Sequence, residues 1–328
     1  MKLATLNDGT RDGQLAVVAR DLKTAHLADA IAPTLQAALD DWAFIAPQLD
    51  TLYQALNQGR AQRGFEFDAA KCMAPLPRAF QWVAGGAYLQ HAALAGKAAG
   101  AGLPEAPRLS QGGADDCLGP RDDIALPYEQ WGVDFEAGLA VVTGDVPMGS
   151  TPDQAYQQIR LLMVVNQVAL RQLEIDELAA GAGLVQAMPA AAFAPLAVTL
   201  DELGDAWKGG KVHLPLRATW NGKLVGQPHA GVDMAFNFPQ LIAHLCKTRN
   251  LRAGSIVGSG PVANKDARRG YCCILDKRSL EALADGIAGT PYMLFGDTLK
   301  VELLGEDGKS LCGAIEQSFK QSEARRSR

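Results

Sequence analysis

The chain has 328 residues, 48% hydrophobic and 20% charged, a globular balance rather than a disordered one. Lys and Arg number 31 against 36 Asp and Glu, and the resulting charge of −5 gives no support for binding a nucleic-acid backbone. No run of about 18 apolar residues occurs without charges, and the first nine residues lack the apolar stretch of a signal peptide, so the expectation is a cytoplasmic protein without a membrane span.

Taken in chain order, Lys2–Leu6 alternates, Asn7-Asp8-Gly9 turns and Leu15–Val18 resumes, the pattern of a β-hairpin. Apolar residues at Leu35, Ala38, Leu39, Trp42, Ala43 and Ile45 recur with a helical period. A second helical run spans Pro47–Asn57, with the proline at the first helical position. Residues 65–77 hold two prolines and read as a linker, so an N-terminal domain is expected over 1–77 and a larger domain over 78–320. The larger domain reads mostly as short strands between Gly and Pro. Strands are expected over Trp131–Val142, Leu161–Asn166, Val212–Trp220, Lys223–Val225, Gly270–Asp276 and Thr298–Leu304. Helices are expected from Thr151-Pro152-Asp153 to about Ile159, with Thr as cap, and over Phe238–Leu245. Asn221-Gly222 marks a hairpin turn. A charged, frayed tail is expected over 321–328, and the class is a β-rich α+β protein.

Six cysteines, at 72, 117, 246, 272, 273 and 312, form no CxxC pair and read as reduced thiols. On a strand, the adjacent Cys272 and Cys273 would face opposite sides, which favours packing over redox chemistry. Asp115-Asp116 lies in a Gly-rich loop and offers oxygens to a hard cation, although an isolated acidic pair in a loop is more often a solvated turn. Asp134 and Glu136 share one strand face and repel unless a metal or an Arg lies between them, although an exposed sheet face is the commoner reading of such a pair. Gly258-Ser259-Gly260-Pro261 reads as a tight loop whose amides could meet an anion, or as a simple turn. His91, His213, His229 and His244 lack metal-ligand spacing and read as structural, and no GxSxG motif supports a Ser nucleophile.

Several stretches in order resemble the fumarylacetoacetate hydrolase family, in the proteobacterial branch with its own N-terminal domain. They are residues 111–120 (QGGADDCLGP), 133–142 (VDFEAGLAVV), 165–171 (VNQVALR), 189–195 (PAAAFAP), 254–260 (GSIVGSG) and 296–298 (GDT). The resemblance covers nearly the whole chain. It implies a mixed β-roll catalytic domain behind a small N-terminal α/β domain, a homodimer, and Mg²⁺, Mn²⁺ or Ca²⁺ held by carboxylates, with no organic cofactor. It also implies cleavage of carbon–carbon bonds in 1,3-diketo acids, or hydrolysis, decarboxylation or tautomerisation of related oxo acids. A metal suits such substrates because it polarises a carbonyl oxygen and holds the developing enolate.

Five matched positions depart from the family pattern. Of its Glu-x-Glu pair, Glu136 remains and the second acid is Gly138. The Asp of its Asn-Asp-x-x-x-Arg run is Gln167, whereas Arg171 persists as the implied substrate clamp. The family Lys is Met188, the Thr of its Ser-Gly-Thr loop is Pro261, and the acid after Gly-Tyr-x-Cys-Ile is shortened to Asp276. Glu136, with Asp115 or Asp116, is left as the metal set, so hard-cation binding is expected to be weak or absent. Glu136 and Asp276 are the catalytic candidates. Arg171, Gln167, Met188, Ser259 and Gly260 are the substrate-binding ones, with an apolar Met188 favouring an oxo acid or a less polar analogue. Two functions follow. One is a family enzyme with altered or metal-independent chemistry. The other is an inactive binding or regulatory subunit, paired with an active paralogue.

Overall fold

Apolar residues on both faces of the longest strands require a sheet covered on both sides. The computed structural model describes residues 1–99, 105–181 and 183–322. Its first strands, β1 (Lys2–Leu6), β2 (Gln14–Val18) and β3 (Thr24–Leu27), form an antiparallel meander. Helices α1 (Leu35–Asp40) and α2 (Trp42–Asn57) follow, then β4 (Phe65–Glu66) and β5 (Trp82–Gly85). Next come α3 (Leu89–Ala99), β6 (Leu109–Gly112), β7 (Ile124–Leu126), β8 (Val133–Thr143), α4 (Pro152–Tyr156) and β9 (Ile159–Leu170). After α5 (Arg171–Ala179) come β10 (Ala192–Phe193), β11 (Leu196–Thr199), β12 (Trp207–Lys208), β13 (Lys211–Val212), β14 (Leu216–Trp220) and β15 (Lys223–Gly226). The chain continues with α6 (Phe238–Leu245), β16 (Ile256–Pro261), α7 (Ile274–Asp285), β17 (Thr298–Leu303) and β18 (Ile315–Gln321).

One sheet runs β4-β3-β2-β1-β11-β9-β8-β16-β5-β6, with β10 also paired to β9, so the first four strands extend the sheet that carries β8 and β9. A second sheet, β15-β14-β17-β18-β7, covers one face of the first. Leu216, Val301 and Phe319 from it pack with Phe135, Leu139 and Val141 of β8. The other face carries a separate core in which Ala140, Val142, Met163 and Phe193 meet Leu49, Tyr53 and Leu56 of α2. All eleven residues of β8 are therefore buried, and the strand reads as an apolar run interrupted by Asp134 and Glu136 and closed by Thr143.

Local signals explain where the helices start. Thr34 caps α1 by accepting from Ala37 N–H, and α4 and α6 each open with a capping box, Thr151/Gln154 and Asn237/Gln240. Asn221 and Gly222 both take positive φ, 50° and 73°, as the two-residue turn between β14 and β15 needs. Three local expectations are corrected. Pro47 lies inside α2 rather than at its start. Residues 258–261 belong to strand β16, not to a loop. The strand expected over 270–276 gives way to helix α7 at Ile274. The sheet's centre also uses strands of 11 and 12 residues, longer than the short strands expected. The expected tail begins at the end of β18, and residues 323–328 lie outside the described residues. Among the described residues, no helix is long and apolar enough to cross a membrane.

Candidate functional site

Strands β8 and β9 are antiparallel, with Glu136 opposite Gln167, Asp134 opposite Ala169 and Gly138 opposite Val165. This register places Asp134, Glu136, Gly138 and Gln167 on one face, because alternate residues of a strand share a side. Arg171 opens α5 where β9 ends, so its guanidinium returns over this acidic end. Its Nε and Nη2 donate to Asp134 Oδ2 at 3.0 and 2.9 Å, Nη2 also donates to Glu136 Oε1, and Nη1 donates to Glu174 at 2.8 Å. Four hydrogen bonds from one guanidinium thus go to three carboxylates. Asp134, Glu136 and Arg171 are all buried, which corrects the exposed sheet face that is the commoner reading of the two acids; the cation between them is Arg171.

Asp134 has a second duty. Cys273, the residue before α7, makes no side-chain cap. Asp134 Oδ1 accepts from Ile274 N–H at 2.6 Å, and Oδ2 accepts from Leu275 N–H at 3.0 Å. A strand carboxylate therefore satisfies the orphan amides at the start of a helix from outside it. Burial pushes the Asp134 carboxyl up to about 6, with Glu136 adding to the shift and Arg171 opposing it. Arg171 stays charged: burial opposes the charge, and Glu136 and Asp134 outweigh it.

Around Gly138 and Gln167 the space is filled. A Cβ on Gly138 would run into the Gly260 carbonyl oxygen, inside van der Waals distance. Gln167 Oε1 accepts from the Trp82 indole N–H, and its Nε2 donates to Val168 O at 2.9 Å and Pro189 O at 3.3 Å. The Trp82 ring is wedged between Gly112 and Gly258, where a Cβ on either would penetrate it, and stands edge-on to Phe193 at 5.5 Å. Ser259 is buried in β16. Its hydroxyl donates to Gly260 O at 2.7 Å and accepts from Leu139 N–H at 3.2 Å.

Asp276 lies in the first turn of α7, and α3 packs beside that helix. The contact brings His91 Nδ1 to 2.8 Å from Asp276 Oδ1 and 3.6 Å from Cys273 Sγ. An ionised carboxylate only accepts, so Nδ1 carries the hydrogen in the pair. Burial disfavours the imidazolium, but Asp276, and behind it Glu136, lift His91 to about 9. Burial and the neighbouring Asp276 push the Cys273 thiol well up. Backbone pairing of Cys273 with Glu136 joins this trio to the Arg171 cluster.

The remaining predicted residues stand apart. The carboxylates of Asp115 and Asp116 are not gathered with that of Glu136. Among the described residues, His91, Cys273 and Asp276 are the His/Cys/Asp/Glu group whose ligand atoms all lie within 4.8 Å of one another. Asp115 and Asp116 border an open cleft of about 430 Å³, whose apolar wall includes Leu184, Val185, Met188 and Pro189. Gly112 also lines this cleft, with Trp82 and Gln167 immediately behind it. The structure thus brings together Glu136, Arg171 and Asp276 with His91 and Cys273. It sets Gln167 under Trp82, and it places Met188, Asp115 and Asp116 around the cleft on the other side of Gly112. Sequence reasoning missed His91 because its partner lies 185 residues away.

Comparison with known proteins supplies the frame for this geometry. The family model for the fumarylacetoacetase N-terminal domain 2 matches residues 1–78, and that for the fumarylacetoacetate (FAA) hydrolase C-terminal matches residues 81–319. An uncharacterised protein of Archaeoglobus fulgidus is 27% identical over 161 residues, which is 49% of this chain and 60% of that protein. Fumarylacetoacetate hydrolase from Exiguobacterium antarcticum superposes with a TM-score of 0.68 at 17% identity, covering 98% of this chain and 99% of its own. Maleylpyruvate hydrolase from Sphingobium sp. SYK-6, solved with manganese(II) and pyruvate, gives 0.65 at 15% identity, covering 98% and 100%. The 2-hydroxyhepta-2,4-diene-1,7-dioate isomerase of Mycobacterium marinum gives 0.62 at 15%, covering 99% and 100%. At these identities the superpositions establish the fold. The C-terminal family model spans most of the sequence, and with it the chain belongs to the fumarylacetoacetate hydrolase family.

Proposed function

We propose that this protein acts on a small oxo acid by proton transfer through His91, oriented by Asp276, and that it no longer uses a carboxylate-held hard cation. The observation that carries this reading is the closure of the Glu136–Gln167 pair. Glu136 is tied to Arg171, Gln167 Oε1 is taken by the Trp82 indole, and Gly138 has no room for an acid. A hard divalent ion wants six or more oxygen ligands. These residues do not fit it, and no step is routed through such an ion. Fold neighbours that include a hydrolase and an isomerase of oxo acids support the substrate class.

In this scheme Asp276 holds Nδ1–H and fixes the ring, so Nε2 is the nitrogen that exchanges a proton with the substrate carbon or enol oxygen. His91 is the half-buried member of the pair, with 18% of its side chain exposed against 4% for Asp276. Arg171 positions α7 through Asp134 rather than clamping substrate, because four of its hydrogen bonds are already committed. The reading includes a homodimer in the cytoplasm.

A second reading is favoured by the burial of Glu136 and Arg171 in their own ion cluster. It makes the chain a binding or regulatory subunit that keeps the fold without turnover, alongside an active paralogue. A panel of acylpyruvates and enolisable dicarboxylic oxo acids, assayed with chelator and with added Mg²⁺, separates the two. Turnover indifferent to chelator and lost in His91→Gln is the expected result. Saturable ligand binding without turnover supports the second reading, and Mg²⁺-dependent cleavage contradicts both.

A further inference from the structure

We propose that His91, Cys273 and Asp276 form a binding site for one divalent ion of the zinc class, distinct in ligands and chemistry from the family's carboxylate set. The three donors are an imidazole nitrogen, a thiol sulfur and a carboxylate oxygen, all within 4.8 Å of one another. That mixture matches ions that accept nitrogen and sulfur, and it is a poor set for Mg²⁺ or Ca²⁺. Tetrahedral zinc with bonds of about 2.3 Å to sulfur and about 2.05 Å to nitrogen sets those two ligands about 3.5 Å apart. Cys273 Sγ and His91 Nδ1 are 3.6 Å apart. The His91–Asp276 hydrogen bond, at 2.8 Å, needs to open by roughly 0.6 Å to reach the corresponding nitrogen–oxygen spacing of about 3.4 Å.

The ligands sit on regular elements. Asp276 and Cys273 belong to the start of α7, which Asp134 pins through two amides, and His91 lies on α3 beside it. Three protein ligands leave a fourth position for water or an anionic group.

Ion binding here is an exchange of charge: the divalent ion displaces the Nδ1 proton of the His91 imidazolium and the Cys273 thiol proton, and both protons go to solvent. Without an ion, the same thiol is no nucleophile, because burial and three carboxylates hold it protonated. Ion binding replaces the His91–Asp276 hydrogen bond, so it would also stop the proton transfer proposed above. Only that consequence rests on the earlier reading.

Co²⁺ titrated into the metal-stripped full chain tests the site by absorbance, independently of any activity. One equivalent should bind with a near-ultraviolet thiolate-to-cobalt charge-transfer band. The band should vanish in Cys273→Ser, and it should not be displaced by excess Mg²⁺. His91→Gln, at a half-buried position, serves if the serine variant does not fold, and should bind Co²⁺ roughly tenfold more weakly or worse. Absence of binding by the wild-type chain, binding without the band, or a band that survives in Cys273→Ser would each overturn the proposal.

Discussion

At Gly138 there is space for hydrogen and for nothing larger, because the Gly260 carbonyl of β16 lies against it. Gly138→Ala should cost about 1–3 kcal/mol in urea unfolding, the range for overpacking a filled interior, and Gly138→Glu more, without creating Mg²⁺ affinity. Arg171 stands at the other extreme, a buried cation whose removal strands Asp134 and Glu136. Arg171→Met should cost about 3–5 kcal/mol, whereas Glu174→Gln, at the partly exposed end of the network, should cost about 1 kcal/mol or less by the same measurement. Part of this was legible in the sequence. Two acids on one strand face allow a cation between them, but an exposed face is the commoner reading, and Arg171 is singled out as a substrate clamp rather than as their partner. That Gln167 would serve as the acceptor for Trp82 was not legible, because the partners lie 85 residues apart and nothing local signals the contact.

Helix α7 owes its start to another element. Its first amides are satisfied by Asp134, 140 residues earlier, so the segment lacks a local capping residue and reads as a strand in sequence. Helices α4 and α6 carry their capping boxes locally and were legible for that reason. Asp134→Ala should therefore speed amide exchange at Ile274 and Leu275 and lower stability by about 1–2 kcal/mol or more, the upper range for losing a cap. The His91–Asp276 pair ties α3 to α7. His91 rises from 6.5 to about 9 on folding, so its contribution is complete below pH 6.5 and is lost as pH climbs through about 9. Thermal unfolding from pH 6 to 10 should show this loss in the wild type and a flatter profile in His91→Gln.

Over the whole molecule, one long sheet places N-terminal strands, β8, β9 and β16 in a single hydrogen-bonded frame, with cores on both faces. The β-rich class was legible from alternation and turn residues. The strand order was not, since β8 pairs with β16 more than a hundred residues later. That pairing brings the Gly260 carbonyl onto Gly138, while β5, paired to β16, brings Trp82 to Gln167. In the function proposed above, this closure leaves no hard-cation site. Titration calorimetry of metal-stripped protein with Mg²⁺ tests it most directly. The expected result is no saturable heat up to millimolar Mg²⁺. Stoichiometric binding at micromolar Mg²⁺, abolished in Glu136→Gln, would contradict it.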